Sequence, residues 1–225
     1  MTDLRLVIFD VDGTLVDSQA DILAAMGAAF AGAGLPAPSR SEILGIVGLS
    51  LPQAIAHLAP EADRALLDAM VVGYKSAYTE LRAEGGVELS SPLYPGVREV
   101  LETLNARPET LLGVATGKSR KGLDKLLDGH GLREFFVTQQ CADDHPSKPH
   151  PAMLHEAVAV TGVDAARAVM VGDTEFDMEM ARAAGLAGIG VSWGYHPVSR
   201  LGAAHRVIDD VAALPALLDT LWEAA

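Results

Sequence analysis

The 225-residue chain has a single cysteine, Cys141, so it can hold no internal disulfide, and a reducing, cytoplasmic setting is the expected one. Positive charge is scarce: 17 Lys and Arg against 30 Asp and Glu leave a net charge of −13. Nonspecific grip on nucleic acid or on an anionic membrane needs clustered positive charge, so neither is an expected partner. Long apolar runs are missing too. The longest uncharged stretch, Ile22 to Ser39, is mostly Ala and Gly and is closed by Pro36 and Pro38. It reads as an Ala-rich soluble helix to about Ala33 followed by a turn, not as a membrane span. The first residues, MTDLRLVIFD, enter a strand-like run without a basic head, apolar stretch or cleavage site, so no secretory signal is expected. No fixed-period repeat or low-complexity tract is visible. What is present, 49% apolar and 21% charged residues, is the composition of a folded globular chain. Its length suits one large domain or a domain with an insertion.

The chain alternates between two textures. Short apolar runs bounded by turn or polar residues predict strands at Leu4–Phe9, Thr110–Ala115, Phe135–Thr138, Ala168–Val171 and Ala187–Val191. Helical patterns lie near Val97–Ala106, Ser119–His130, Pro151–Thr161, Thr174–Ala184 and Val211–Glu223. Pro151 suits a first helical turn, where no N–H donor is needed. Alternation at these lengths predicts parallel pairing through right-handed crossovers, with the sheet covered on both faces. Between about Asp17 and Ser90 the alternation stops and only helical texture remains: Ala20–Ala33, Ser41–Val47, Leu51–Leu58 and Glu61–Ala83, closed by Gly85-Gly86 and the turn-rich SSPLYPG. The expectation is an α/β, Rossmann-like parallel-sheet core, residues 1–16 and 91–225, with helices on both faces. An all-α module, residues 17–90, is inserted after the first strand and can move on linkers near Val16 and Pro92.

Four segments carry candidate chemistry. The first strand ends in Asp10-Val11-Asp12-Gly13-Thr14. Residues i and i+2 of a strand point the same way, so both acids can leave from one side of its C-terminal end, where open parallel sheets bind ligands. A plain Asp/Gly turn is the bland reading. Against it, two adjacent carboxylates repel, and a divalent cation would relieve that. Thr116-Gly117-Lys118-Ser119 closes the next strand and offers a hydroxyl and free N–H groups at a helix start. It can also be no more than a helix cap. It is not a P-loop, because the residue five places before Gly117 is Leu112 rather than glycine. Lys148-Pro149 precedes a helix, although lysines are ordinarily solvated. Gly172-Asp173-Thr174-Glu175-Phe176-Asp177 follows a strand and puts Asp177 one helical turn after Asp173.

In this order and spacing, DVDGT, VATGK, the lysine of SKPHP and GDTEFD resemble the four motifs of the haloacid-dehalogenase-like hydrolase superfamily. LYPGVREVL, SKPHPAML and MVGDTEFDMEMARAAG are similar to its phosphoglycolate-phosphatase-like branch. The helical insert resembles the type-one cap. The resemblance covers roughly Leu4–Val16 and Pro92–Leu217. It implies a Mg2+-dependent phosphatase of a small phosphorylated metabolite acting through an aspartyl-phosphate. Asp10 is then the nucleophile and Asp12 the general acid and base. Asp10, Asp173 and the carbonyl of Asp12 are the metal ligands. Lys148, Thr116 and the N–H of Gly117 hold phosphoryl oxygens. Asp177 orients Lys148 or metal-bound water, and Thr14 secures the turn.

Alternatives on the same fold are a sugar phosphomutase, a pyrophosphatase or a nucleotidase; a non-catalytic binding module is the alternative of another class. Asp12 argues against the dehalogenases, which resemble this chain otherwise but lack that acid. It argues likewise against phosphonatases, which use a cap lysine, so Lys75 reads as a solvated helix residue. The stretch Ala20–Gly34 has no histidine, which disfavours the mutase. His145, His150 and His155 recur every five residues but are interrupted by prolines, and read as loop or surface groups. Trp193-Gly194-Tyr195-His196 reads as a packed loop more than as a pocket rim. Gly48-Leu49-Ser50 reads equally as a specificity turn or a plain interhelical turn. Cys141 has no Cys–His–Asn pattern around it.

Overall fold

The computed structural model describes residues 4–223. β1 (Arg5–Phe9) is followed by four helices in succession, α1 (Gln19–Gly32), α2 (Arg40–Leu44), α3 (Leu51–Leu58) and α4 (Arg64–Ser90). The alternation then begins with α5 (Val97–Asn105), β2 (Thr110–Thr116), α6 (Arg120–Gly129), β3 (Phe136–Cys141), α7 (Ala152–Thr161) and β4 (Ala168–Gly172). It continues with α8 (Glu175–Ala184), β5 (Ala187–Val191), β6 (Arg206–Ile208) and α9 (Leu214–Glu223).

The six strands form one parallel sheet in the order β3-β2-β1-β4-β5-β6. Strand alternation divides β1 between two cores. Val7 and Phe9 face a cluster filled by Leu101 and Leu104 of α5, Leu123 and Leu127 of α6 and Leu218 of α9. Leu6 and Ile8 face the opposite cluster, with Met153 and Leu154 of α7 and Met180 of α8. Both faces are therefore covered, which is why these strands read as unbroken apolar runs. The chain leaves β1 with neighbours on both sides, β2 and β4, so the strand order reverses there. This is the crevice where open α/β sheets bind ligands.

The helices between β1 and α5 have a third core of their own: Ile22, Met26 and Phe30 of α1 against Ile43, Ile55 and Met70. Their starts follow capping chemistry. Ser39 and Glu42 form a reciprocal capping box on α2, and Asp63 accepts from the Leu66 N–H on α4.

The Gly85-Gly86 pair breaks its helix as expected: Gly86 stands at φ 71° and ψ 168°, outside helical conformation, and a short helical turn to Ser90 follows the kink. Glycine takes such angles without steric cost, and Val87 beyond the kink packs on the sheet-side core. Two local expectations need correction. The third strand runs to Cys141 rather than Thr138, because Gln139 and Gln140 pair with Val114 and Ala115 of β2. The edge strand β6 has no apolar run to announce it: of its three residues only Ile208 is buried. Pro151 stands just before α7 at the N-cap position, and the last helical pattern divides into a 3-10 turn, Val211–Ala213, and α9.

Candidate active site

Asp10 stands one residue beyond β1, its N–H bonded to the Val171 carbonyl of β4 at 2.9 Å. Gly13 turns the chain at φ +83°; a Cβ there would lie 2.2 Å from the Asp173 carboxylate. Gly194 approaches the same acid from the loop after β5, and a Cβ on it would lie 2.1 Å from Asp173 Cβ. Two glycines thus let backbone from two directions close around Asp173.

Asp173, Asp177 and Lys148 are fully buried beside Asp10. Lys148 Nζ lies 2.9 Å from Asp10 Oδ1 and donates to Asp177 Oδ1 at 2.6 Å. The start of α8 places Asp177: Thr174 is the N-cap, and its N–H and hydroxyl donate to Asp177 Oδ2 at 3.0 and 2.6 Å. An ordinary capping box therefore fixes a site carboxylate. Asp173 Oδ1 accepts from the Thr14 hydroxyl at 3.0 Å, and Oδ2 from the Tyr195 N–H at 2.7 Å. Thr14 thus reaches across to the β4 acid as well as following the turn.

Three buried carboxylates lie together, and one ammonium, Lys148, pairs with two of them, Asp10 and Asp177. Burial pushes the Asp10 carboxyl up to about 7, against the pull of Lys148 and with the repulsion of Asp177. Burial, then Asp177 and Asp10, push Asp173 well above the usual carboxylate range. Lys148 is held above its ordinary value: burial opposes its charge, and Asp10 and Asp177 outweigh that. The unrelieved negative charge has a direction. Asp10 Oδ2 is buried with no hydrogen-bond partner, and single oxygens of Asp10, Asp173 and Asp177 lie within 4.8 Å of one another. Hard oxygen donors with an orphaned carboxylate oxygen fit a small divalent cation.

Asp12 lies in a separate setting. Its Oδ1 is 2.8 Å from Lys118 Nζ and accepts a short hydrogen bond from the Ser18 hydroxyl, just ahead of α1. Lys118 also meets the Tyr78 hydroxyl of α4 at 3.2 Å. Thr116 ends β2, buried, and its Oγ1 accepts from the Lys118 N–H at 3.3 Å. Thr116 is not the cap of α6; Ser119 is, accepting from the Gly122 N–H. Asp10, Asp12, Thr116 and Gly117 line one cavity of about 440 Å3. Its far wall is made by the helical segment, including Ile22, Met26, Val47, Leu49, Tyr74 and Lys75. The turn Gly48-Leu49-Ser50 lies directly on Gly117, where a Cβ would stand 2.6 Å from the Leu49 carbonyl. The Ser50 N–H donates to Ser147 Oγ at 2.7 Å.

Sequence reasoning read the loop after β5 as a packed loop more than as a pocket rim, and did not foresee its contacts with the acids. Besides the Tyr195 N–H on Asp173, Trp193 Nε1 donates to the Thr14 carbonyl at 3.2 Å, and the Tyr195 hydroxyl accepts from the Ser18 N–H at 2.8 Å. His196 joins the two halves. Its Nδ1 accepts from the Glu175 N–H at 3.2 Å, so Nε2 carries the proton toward the Gly45 carbonyl at 3.1 Å. Burial, then Arg200, lower His196 to about 4. The hold on Asp173 is a backbone N–H, which leaves no signature in a sequence. Lys118 did have one, its position two residues after Thr116. The three spaced histidines form no metal cluster among the described residues; His145 bonds Gln140, and His150 and His155 are exposed. Cys141 is buried at the end of β3, and burial together with the Asp144 carboxylate raises its thiol to about 11.

Residues 7–191 match the family described as haloacid dehalogenase-like hydrolase. The chain belongs to the haloacid dehalogenase-like hydrolase family. Within it, the chain is 39% identical to the Dickeya dadantii protein called "Probable phosphatase IndB", over 91% of this chain and 89% of that one. It is 35% identical to the phosphoglycolate phosphatase of Agrobacterium fabrum, over 96% and 93% of the two chains. Among solved structures, a hydrolase from Pseudomonas syringae superposes with a TM-score of 0.84 at 26% identity, covering 96% of this chain and 98% of that one. A haloacid dehalogenase-like family hydrolase from Streptococcus pneumoniae superposes with a TM-score of 0.81 at 25% identity, covering 96% and 99%. This member of the family has no described helix long and apolar enough to cross a membrane.

Proposed function

We propose that the protein is a Mg2+-dependent phosphatase that hydrolyses a small, phosphoglycolate-like phosphomonoester through an aspartyl-phosphate. One observation carries the reading. Asp10 is a buried acid at the end of the central strand, lining the cavity, with Lys148 on one carboxylate oxygen and the other oxygen unpartnered. The phosphatase and phosphoglycolate phosphatase relatives support the same class of chemistry.

Asp10 attacks phosphorus, and the bond from phosphorus to the leaving oxygen breaks as the new one forms. Asp12 gives its proton to the leaving alkoxide, then takes one from the water that attacks the aspartyl-phosphate, releasing phosphate and restoring Asp10. Lys118 and Ser18 fix the Asp12 carboxylate for both transfers. Thr116 and the Gly117 N–H hold a phosphoryl oxygen, and Lys148, anchored by Asp177, offsets charge on Asp10 and the phosphoryl group. Asp10, Asp173 and the Asp12 carbonyl would hold the metal, which supplies further neutralisation of the phosphoryl oxygens when bound. Residues 17–90 act as a cap over the core formed by 1–16 and 91–225, and keep bulk water from the aspartyl-phosphate.

The test is phosphate release from a panel of phosphoglycolate, sugar phosphates, nucleotides and pyrophosphate, with Mg2+ and with EDTA. Release that requires Mg2+ and peaks on one phosphomonoester is expected. Folded protein that releases phosphate from none of them and never becomes phosphorylated on Asp10 would overturn the reading.

A further inference from the structure

The chain has only five lysines among its 17 basic residues: Lys75, Lys118, Lys121, Lys125 and Lys148. Lys148 is the ammonium of the buried acid cluster, and the other four all line the cavity. The arginines are used differently. Arg64, Arg107, Arg120, Arg133 and Arg200 are each neutralised by an Asp or Glu. Lys118 is taken by Asp12. Lys75, Lys121 and Lys125 have no carboxylate partner among the described residues. In a chain of net charge −13 with 30 acids, three free ammonium groups around one cavity are a local reversal of sign.

Their placement gives the reversal a direction. Lys121 and Lys125 are one turn apart on α6, about 6 Å along its axis, leading away from Thr116 and Gly117. Lys75, on α4, lines the same cavity. Besides Asp10 and Asp12, Asp143 is the one acid in the lining, and its Oδ2 is engaged by the Arg120 N–H at 2.8 Å. The lining also includes apolar side chains, among them Met26, Val47 and Leu49. A cavity of about 440 Å3 is also larger than a phosphoryl group and a two-carbon acid require.

We propose that the substrate's leaving group ends in a second anionic group, carboxylate or phosphate, on a spacer longer than the single carbon of phosphoglycolate. Lys75, Lys121 and Lys125 receive that group. The inference rests on the phosphatase reading and adds the chemistry of the leaving group to it. The lysine is suited to this work because its ammonium is a mobile point charge that adapts to either anion.

The test compares phosphate release from butyl phosphate, 4-carboxybutyl phosphate, butane-1,4-bisphosphate and phosphoglycolate, with p-nitrophenyl phosphate as a general probe. One of the two long anionic esters is expected to exceed butyl phosphate at least tenfold in kcat/KM, mainly through KM, with the advantage shrinking as salt is added. Which of them leads identifies the second anion. In Lys121→Ala/Lys125→Ala, on an exposed helix face, the ratio of anionic to butyl ester falls at least tenfold. Lys121→Arg/Lys125→Arg retains most of it. Equal rates on the butyl series, a ratio unmoved by the alanine pair, or phosphoglycolate ahead of both long esters would each overturn the proposal while leaving the phosphatase intact. No release from any ester, p-nitrophenyl phosphate included, would overturn the phosphatase reading itself, and this inference with it.

Discussion

The floor of the cavity includes Asp10, and beside it Asp173, Asp177 and Lys148 are enclosed and each is held by at least two fixed partners. The roof, made by α1, α4 and the Gly48–Ser50 turn, presents apolar side chains and one lysine, Lys75. The floor is set by strand ends, a capping box and glycines that admit close backbone. The roof is tied down at a few points: Ser50 to Ser147, Gly45 to His196, and Ser18 to Tyr195. The difference teaches a division of labour. On the proposed function, chemistry that tolerates little misplacement is built on the sheet, and discrimination among substrates is left to a surface that can be re-dressed.

The comparison can be broken first at the floor. Asp10→Asn removes the proposed nucleophile, and phosphate release should fall by about 10^4-fold or more, with no phosphorylated protein in an acid-quenched gel. Lys148→Met leaves two buried carboxylates, Asp10 and Asp177, without their cation. A loss of about 3–5 kcal/mol is expected by urea unfolding, well beyond what any roof substitution should cost. Metal binding sharpens the contrast. Because Asp10 is pushed up to about 7, protons compete with Mg2+ for it. The rise in melting temperature given by Mg2+ should therefore be larger at pH 8 than at pH 6, and should be small in Asp10→Asn at either pH.

Substitutions where the roof meets the floor should have smaller effects. Gly117→Ala places a Cβ against the backbone of Gly48 and Leu49, so the turn must lift. A loss of roughly tenfold to a hundredfold in kcat/KM, with the global fold kept, is expected in steady-state assays. The smallest effect belongs to His196. Its folded value of about 4 lies below the ordinary 6.5, so the stability it contributes is present above pH 6.5 and is lost as pH falls from 6.5 toward 4. His196→Gln, which never charges, should flatten that part of the stability profile while costing about 1 kcal/mol at neutral pH.

The floor was the legible half. Buried parallel strands must be apolar, so β1, β2, β4 and β5 announce themselves, and the residues just past them are where an α/β sheet keeps its acids. Asp10, Asp12, Thr116, Lys148, Asp173 and Asp177 could all be named from the sequence. Their contacts could not: which acid takes Lys148 and which takes Lys118 depends on packing across more than a hundred residues of chain. The glycine pair in α4 was legible too, since Gly86 leaves helical conformation there; the short helical turn beyond it was not. The contact of Tyr195 with Asp173 could not be foreseen because it is made by a backbone N–H, which any residue type possesses.

The three hydrophobic cores bear on how such a chain can change over time. The helical segment fills its own cluster, with Ile22, Phe30, Ile43, Ile55 and Met70, and shares none of these side chains with the two clusters that flank the sheet. Substitutions in the roof therefore need not propagate into strand packing, and strand packing can stay fixed while the roof is rewritten. Inheritance can act on the two parts at different rates. The same sheet, with the same acids at its strand ends, can pass from one leaving group to another without first losing its shape.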